Sequence, residues 1–238
     1  MTSRVARLFR ALEIPLLCAV PAGMYVAVWT GGGASALLMM AVVSLVIALF
    51  FMGYEASRPG LRQIMPTLVL AALAAAGRIL FGAVPDFKPV SAIAIIAGVT
   101  LGRRNGFMVG ALAALASNFF LGQGMWTPWQ MYAWGVVGYL GGVLAEVGAF
   151  TRADGRVRLW AVLSYGAMSG MIFGAIINAY DIIGFVRPFT WAGALARLAL
   201  ALPFDIVHSL ATVVFLAALY GPWTRRIERI VMKYDLRA

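Results

Sequence analysis

Residues 122–134 read GQGMWTPWQMYAW, placing three tryptophans and two glutamines among otherwise aliphatic sequence. Indole and amide groups act by stacking and hydrogen bonding, which is the chemistry of holding a ligand. Around this segment the chain offers a small set of further polar groups: Arg78, Asp86, Lys88, Asn118, Asn178, Asp205 and His208. Together with Gln123, Trp126, Trp129 and Gln130 they form the candidate substrate-binding set. Catalytic patterns are poor by comparison. The stretch GAMSG at 166–170 resembles a serine motif, with His208 as its only histidine base. An H-E-x-x-H metal pair and a G-x-x-x-x-G-K-[ST] phosphate loop are both missing from the sequence. One histidine is no metal-site motif, and neither a metal nor a cofactor is expected.

These residues must be positioned by membrane helices. The chain of 238 residues is 63% hydrophobic and only 12% charged, too little charge to cover a soluble domain. Apolar runs recur continuously, which excludes the alternating pattern of a barrel. The expected fold class is therefore an all-α polytopic membrane protein. Eight apolar spans are read at 12–30, 35–53, 64–82, 89–102, 106–121, 129–149, 159–179 and 192–221. Pro203 is expected to divide the last run into a helix at 192–202 and a span at 204–221. No cleavable signal pattern opens the chain, and Cys18, the only cysteine, excludes an internal disulfide.

The net charge of +10 raises nucleic acid as a partner, but its placement argues for topology instead. With the N-terminus inside, 15 of the 19 basic residues fall on the cytoplasmic side, leaving Arg78, Lys88, Arg187 and Arg197. The positive-inside rule then sets both termini in the cytoplasm of a multi-pass plasma-membrane protein, and no nucleic-acid partner is expected. In that frame the candidate residues gather at outer helix ends. They describe a polar cup open outward and closed below, unlike a channel, which needs polar groups through its full depth. Each residue also has a plainer reading. The tryptophans could form an interfacial belt, Arg78 could snorkel, and Asp205 and His208, three apart on one helix, could pair with each other or with Arg78. Asp86 and Lys88 could be solvated loop residues, and Arg187 and Arg197 are assigned to headgroup contacts.

A second signal is the small-residue pattern in LAALAAAGR at 70–78, which permits close helix approach. VGYLGGVLAEVGAF (137–150) and SGMIFGAIINA (169–179) carry similar patterns, read as internal packing.

The order of these motifs resembles the substrate-binding S components of energy-coupling factor (ECF) vitamin transporters. It runs from an alanine-rich helix through PDFKP to SAIAIIAGVTLGRRNGFMVGALAALASNFFLGQGMWTPWQM, and then to FDIVH. The run Gly98, Leu101, Gly102, Gly106, Phe107 and Gly110 carries the superfamily likeness, and SNFFLGQGMWTPWQM looks closest to the cobalamin-type S component. The resemblance covers about residues 60–225. It implies a six-helix core and a vitamin site near the outer face, with cobalamin or a related corrinoid as the first ligand. Another vitamin or a nucleoside precursor is the alternative. It also implies partners: a transmembrane coupling subunit, met by Ala71, Ala72, Ala75 and Ala76, and two ABC ATPases. The N-terminal pair of spans departs from the six-helix pattern. The expected organisation is thus an accessory hairpin at 1–57, a substrate-binding core at 58–225 and a basic tail at 226–238.

Overall fold

The computed structural model describes residues 3–30, 35–56, 59–186 and 188–234. The expected Gly31–Gly33 turn, and Arg58, Arg187 and Arg237, lie outside the described residues. Within them the chain forms eight helices. These are α1 (Ser3–Thr30), α2 (Ser35–Ala56), α3 (Leu61–Leu80), α4 (Val90–Leu101), α5 (Arg103–Leu121), α6 (Trp126–Glu146), α7 (Leu159–Phe185) and α8 (Trp191–Lys233). The fold is all-α, with one isolated bridge between Thr151 and Val157 closing the α6–α7 connection. Among the described residues, four helices are long and apolar enough to cross a membrane: α2, α3, α7 and α8. Two shorter apolar stretches, Ala11–Ala27 and Val90–Leu101, accompany them. The chain is accordingly a membrane-embedded protein.

Helix α4 is the axis of the bundle. At 12 residues it is about 18 Å long, well short of a hydrocarbon core of about 30 Å. It is buried nearly all round, from Val90 to Gly98 and again at Thr100, so neighbouring protein shields its ends. Gly102, with φ 93°, makes the turn into α5 that a side chain would strain. Next to this turn, the glycines let α6 lie directly on α4 and α5. A Cβ added to Gly98 would meet the Gly138 carbonyl at 2.2 Å, and one on Gly110 would meet the Trp134 carbonyl at 2.3 Å. The glycine run that carries the family-like pattern is therefore a packing seam.

One expectation about the last span is corrected. Pro203 and Pro222 both lie inside α8, which is continuous for 43 residues. A proline forfeits one ladder bond, a loss that a packed membrane helix tolerates better than a break in its backbone. The same helix runs on through Arg225, Arg226, Arg229 and Lys233, so most of the expected tail is helical.

Helices α1 and α2 pair with each other and rest on the Arg103–Arg104 turn and on α6. Glu13 is buried and pairs with Arg104 and with Arg103 at 3.3 Å, and it accepts from the Tyr139 hydroxyl at 3.1 Å. Tyr54 donates to Asn105 at 2.9 Å, and the Phe50 and Phe107 rings stack at 3.9 Å.

Candidate ligand site

Arg78, in the last turn of α3, organises the opposite end of the bundle. Its guanidinium is buried and donates from Nη1 to Ser117 Oγ at 2.6 Å and to Asn118 Oδ1 at 2.5 Å. From Nη2 it donates to Gln130 Oε1 at 3.2 Å, and its plane lies 4.8 Å over the Trp134 ring. Asn118 passes the network on, donating to Thr127 Oγ1 and Gln130 Oε1, each at 2.9 Å. Thr127 in turn donates to Gln123 at 2.9 Å. The prolyl turn of TPWQM places Thr127 and Gln130 on the first turn of α6, facing α5, and this spacing explains the amide-rich segment.

The same indole joins Arg78 to His208. The Trp134 and Phe173 rings lie 4.5 Å apart, and Phe173 lies 4.5 Å from the His208 ring. His208 is buried, and its Nε2 meets Ser91 Oγ at 2.7 Å. One turn earlier on α8, Asp205 accepts from Asn178 at 3.0 Å. Gly174 on α7 makes room for that carboxylate, since a Cβ there would lie 2.2 Å from Asp205 Oδ1. Asp205 and His208 thus share a face without pairing to each other or to Arg78. Ser169 of the GAMSG stretch bonds back to the Gly166 carbonyl at 2.8 Å, and His208 bonds to Ser91, so no serine–histidine pair forms there.

The α3–α4 loop overhangs this end. Asp86 adopts φ 51°, a left-handed conformation that aspartate tolerates better than most residues. Burial raises its carboxyl above the usual range, against the opposing pull of Lys88 and Arg78. Lys88 folds back to cap its own loop, donating to the carbonyls of Phe81 and Val84 and to that of Gly82 at 3.3 Å. Burial lowers its ammonium, offset in part by Asp86. In this structure Lys88 caps its own loop.

The two tryptophans of the segment part company. Trp126 is 43% exposed and covers Gly124, so it lies outside the enclosed network. Trp129 is buried, its ring 5.4 Å from Tyr180. It lines a cavity of about 90 Å³ with Met39, Met125, Tyr180, Ile183 and Phe185. Gln123 sits at the rim, exposed and donating to the Leu115 carbonyl at 3.2 Å. Thus Arg78, Asn118 and Gln130 come together directly, and Gln123 joins them through Thr127. His208 joins through aromatic rings, and Asp86 through charge. Trp129 faces the side where α2 and α7 meet. Ser91, Ser117, Thr127, Trp134, Phe173 and Met39 were not among the expected site residues. Of these, only Trp134 carried a sequence signal, lying one turn beyond Gln130.

The alanine pattern on α3 divides as well. Ala71 and Ala75 are buried within the chain, which corrects their assignment to a partner interface. Ala72 and Ala76 lie exposed on the other side, with Val69, Leu73 and Leu80.

The family model of a family of unknown function, DUF6580, matches residues 59–229. The chain belongs to that family. The match runs from the start of α3 into the last turns of α8 and so covers every residue of the Arg78 network, leaving α1 and α2 outside it. No curated protein and no solved structure matches the chain.

Proposed function

We propose that this chain is the substrate-binding subunit of an energy-coupled importer, an S component of the ECF type that captures a vitamin at the Arg78 end. The observation that supports this is one enclosed polar and aromatic network drawn from all six helices α3 to α8, at a single end of the bundle. A ligand seated there would touch every core helix, as a capture subunit requires. The other end holds the Arg103–Arg104 turn, which favours a cytoplasmic placement of that end in a plasma membrane. A cysteine placed at Gly155, in the α6–α7 connection, should then resist labelling from outside intact cells. Transport would need a coupling subunit and two ABC ATPases as partners.

Two ligand classes fit this reading. A corrinoid suits aromatic walls and amide partners, but it is far larger than the cavity beside Trp129 and requires the α3–α4 and α5–α6 loops to open. A smaller ring-bearing vitamin needs less movement and is the reading the geometry favours. Mass spectrometry of small molecules that co-purify with the detergent-solubilised chain tests the proposal. A vitamin or corrinoid in the extract is expected. An extract holding only lipid, together with no calorimetric heat from any vitamin, would overturn it.

A further inference from the structure

The donors at the Arg78 end outnumber the acceptors. A guanidinium carries five N–H donors. Three are used, two from Nη1 and one from Nη2, and all three reach neutral oxygens. Nε–H and one Nη2–H make no hydrogen bond among the described residues, and Nε keeps some accessible surface. Among the described residues, no carboxylate forms an ion pair with Arg78, although the side chain is only 8% exposed. Asp86 lies within electrostatic reach without bonding to it. The indole beneath the guanidinium has a deficit of its own, and its nitrogen is fully buried. The side-chain nitrogens buried without any partner, among the described residues, are Nε1 of Trp134 and Nε1 of Trp129. Buried donors are normally satisfied, and a buried cation normally has a counter-charge. What Arg78 lacks is a hydrogen-bonded acceptor that carries negative charge, since Asp86 acts on it only through space.

We infer that the Arg78 end of the bundle recognises a carboxylate on its ligand, taken side-on by Nε and Nη2 of Arg78 with the Trp134 indole N–H as a further donor. The inference rests on the reading of the chain as a ligand-capture subunit. It narrows the ligand to a ring-bearing vitamin that is an acid. Ser117, Asn118 and Gln130 hold the guanidinium in place, so little ordering is left to occur on binding. The planar fork of arginine matches the planar carboxylate. A phosphate monoester suits this end less well. It carries a second negative charge within reach of the Asp86 carboxylate, which already acts on Arg78.

Calorimetry on the purified full chain at pH 7 tests this with matched acid and neutral probes. The pairs are nicotinate and nicotinamide, biotin and biotinamide, and lipoate and lipoamide; riboflavin and cyanocobalamin are the neutral controls. One acid should bind about 10- to 100-fold more tightly than its neutral partner, the range expected of charge-assisted hydrogen bonds. Arg78→Gln should erase that difference by weakening the acid alone. Arg78→Lys, which keeps the charge and loses the fork, should fall between. If Arg78→Gln does not fold, the acid-to-neutral ratio of the unaltered chain decides, and equal affinities overturn the inference. Acid binding that survives Arg78→Gln overturns it too. Tight binding of riboflavin or cyanocobalamin with no acid bound overturns the carboxylate and leaves the capture reading standing. No binding by any probe overturns both.

Discussion

At Gln130 one amide oxygen accepts from both Arg78 and Asn118, at 3.2 and 2.9 Å. Removing it leaves two buried donors unpaired, whereas removing Trp129 opens space beside Tyr180. Gln130→Ala and Trp129→Ala should each weaken ligand binding by about 1–3 kcal/mol, measured by calorimetry on the purified chain. The two losses should add, because the residues face different neighbours. The sequence pointed to Gln130 and Asn118 because amides are conspicuous in an aliphatic helix. It could not point to Ser117 or Thr127, whose hydroxyls resemble any other in a membrane span until a guanidinium lands on them. Lys88 shows the converse: a lone loop lysine looks available until its carbonyl partners are in place. The loop also makes a pH prediction. Burial raises the Asp86 carboxyl, so between its ordinary and raised values the folded chain holds a proton that the unfolded chain has released. Stability in that window falls as pH rises. Asp86→Asn removes the titration and keeps a residue tolerant of φ 51°. The thermal midpoint of the variant should depend less on pH through the acid range than that of the unaltered chain.

At the scale of the element, apolar runs and the positions of charged turns were enough to read all eight helices, because each hydrophobic run ends at a charged or glycine-rich break. Their ends were read less well, and α8 shows why. A proline weakens one turn locally, but the helix persists because residues on both sides are packed or membrane-facing. Periodicity could not say which face of α3 turns inward, since alanine suits either side. The structure places Ala71 and Ala75 inside and leaves Ala72 and Ala76 on an exposed face with Val69 and Leu73. That division sharpens a test of coupling. Ala72→Leu with Ala76→Leu adds bulk only to the exposed face, so folding and ligand affinity should stay near normal. If a coupling subunit packs there, the double variant should fail to co-purify with it, and uptake in cells should drop. Unchanged assembly and uptake would mean that this face meets lipid only.

For the whole molecule, the open question in the sequence was what an extra hairpin does beside a six-helix core. Its anchor was illegible because the partners are about 90 residues apart in the chain. Glu13 looked like an edge residue, and Arg103–Arg104 like an ordinary charged turn. Folded, they meet, and Glu13 is only 4% exposed between the two arginines and Tyr139. Such a clamp differs from a surface ion pair, which contributes about 0–1 kcal/mol. Glu13→Ala would leave Arg104 facing a buried void and Tyr139 without its acceptor, so a loss of about 1–3 kcal/mol is expected. Arg103 is better insured, since it also reaches Glu146 at 3.0 Å. Arg104→Ala should therefore cost more than Arg103→Ala, and Glu13→Gln, which keeps an acceptor for Tyr139, less than Glu13→Ala. Thermal unfolding of the four variants in detergent gives the order directly. Tyr54 to Asn105 and the Phe50–Phe107 stack remain in every variant, so the hairpin should stay attached while its midpoint falls. If Glu13→Ala unfolds with the unaltered chain, apolar packing alone holds the hairpin and the buried carboxylate is incidental to it.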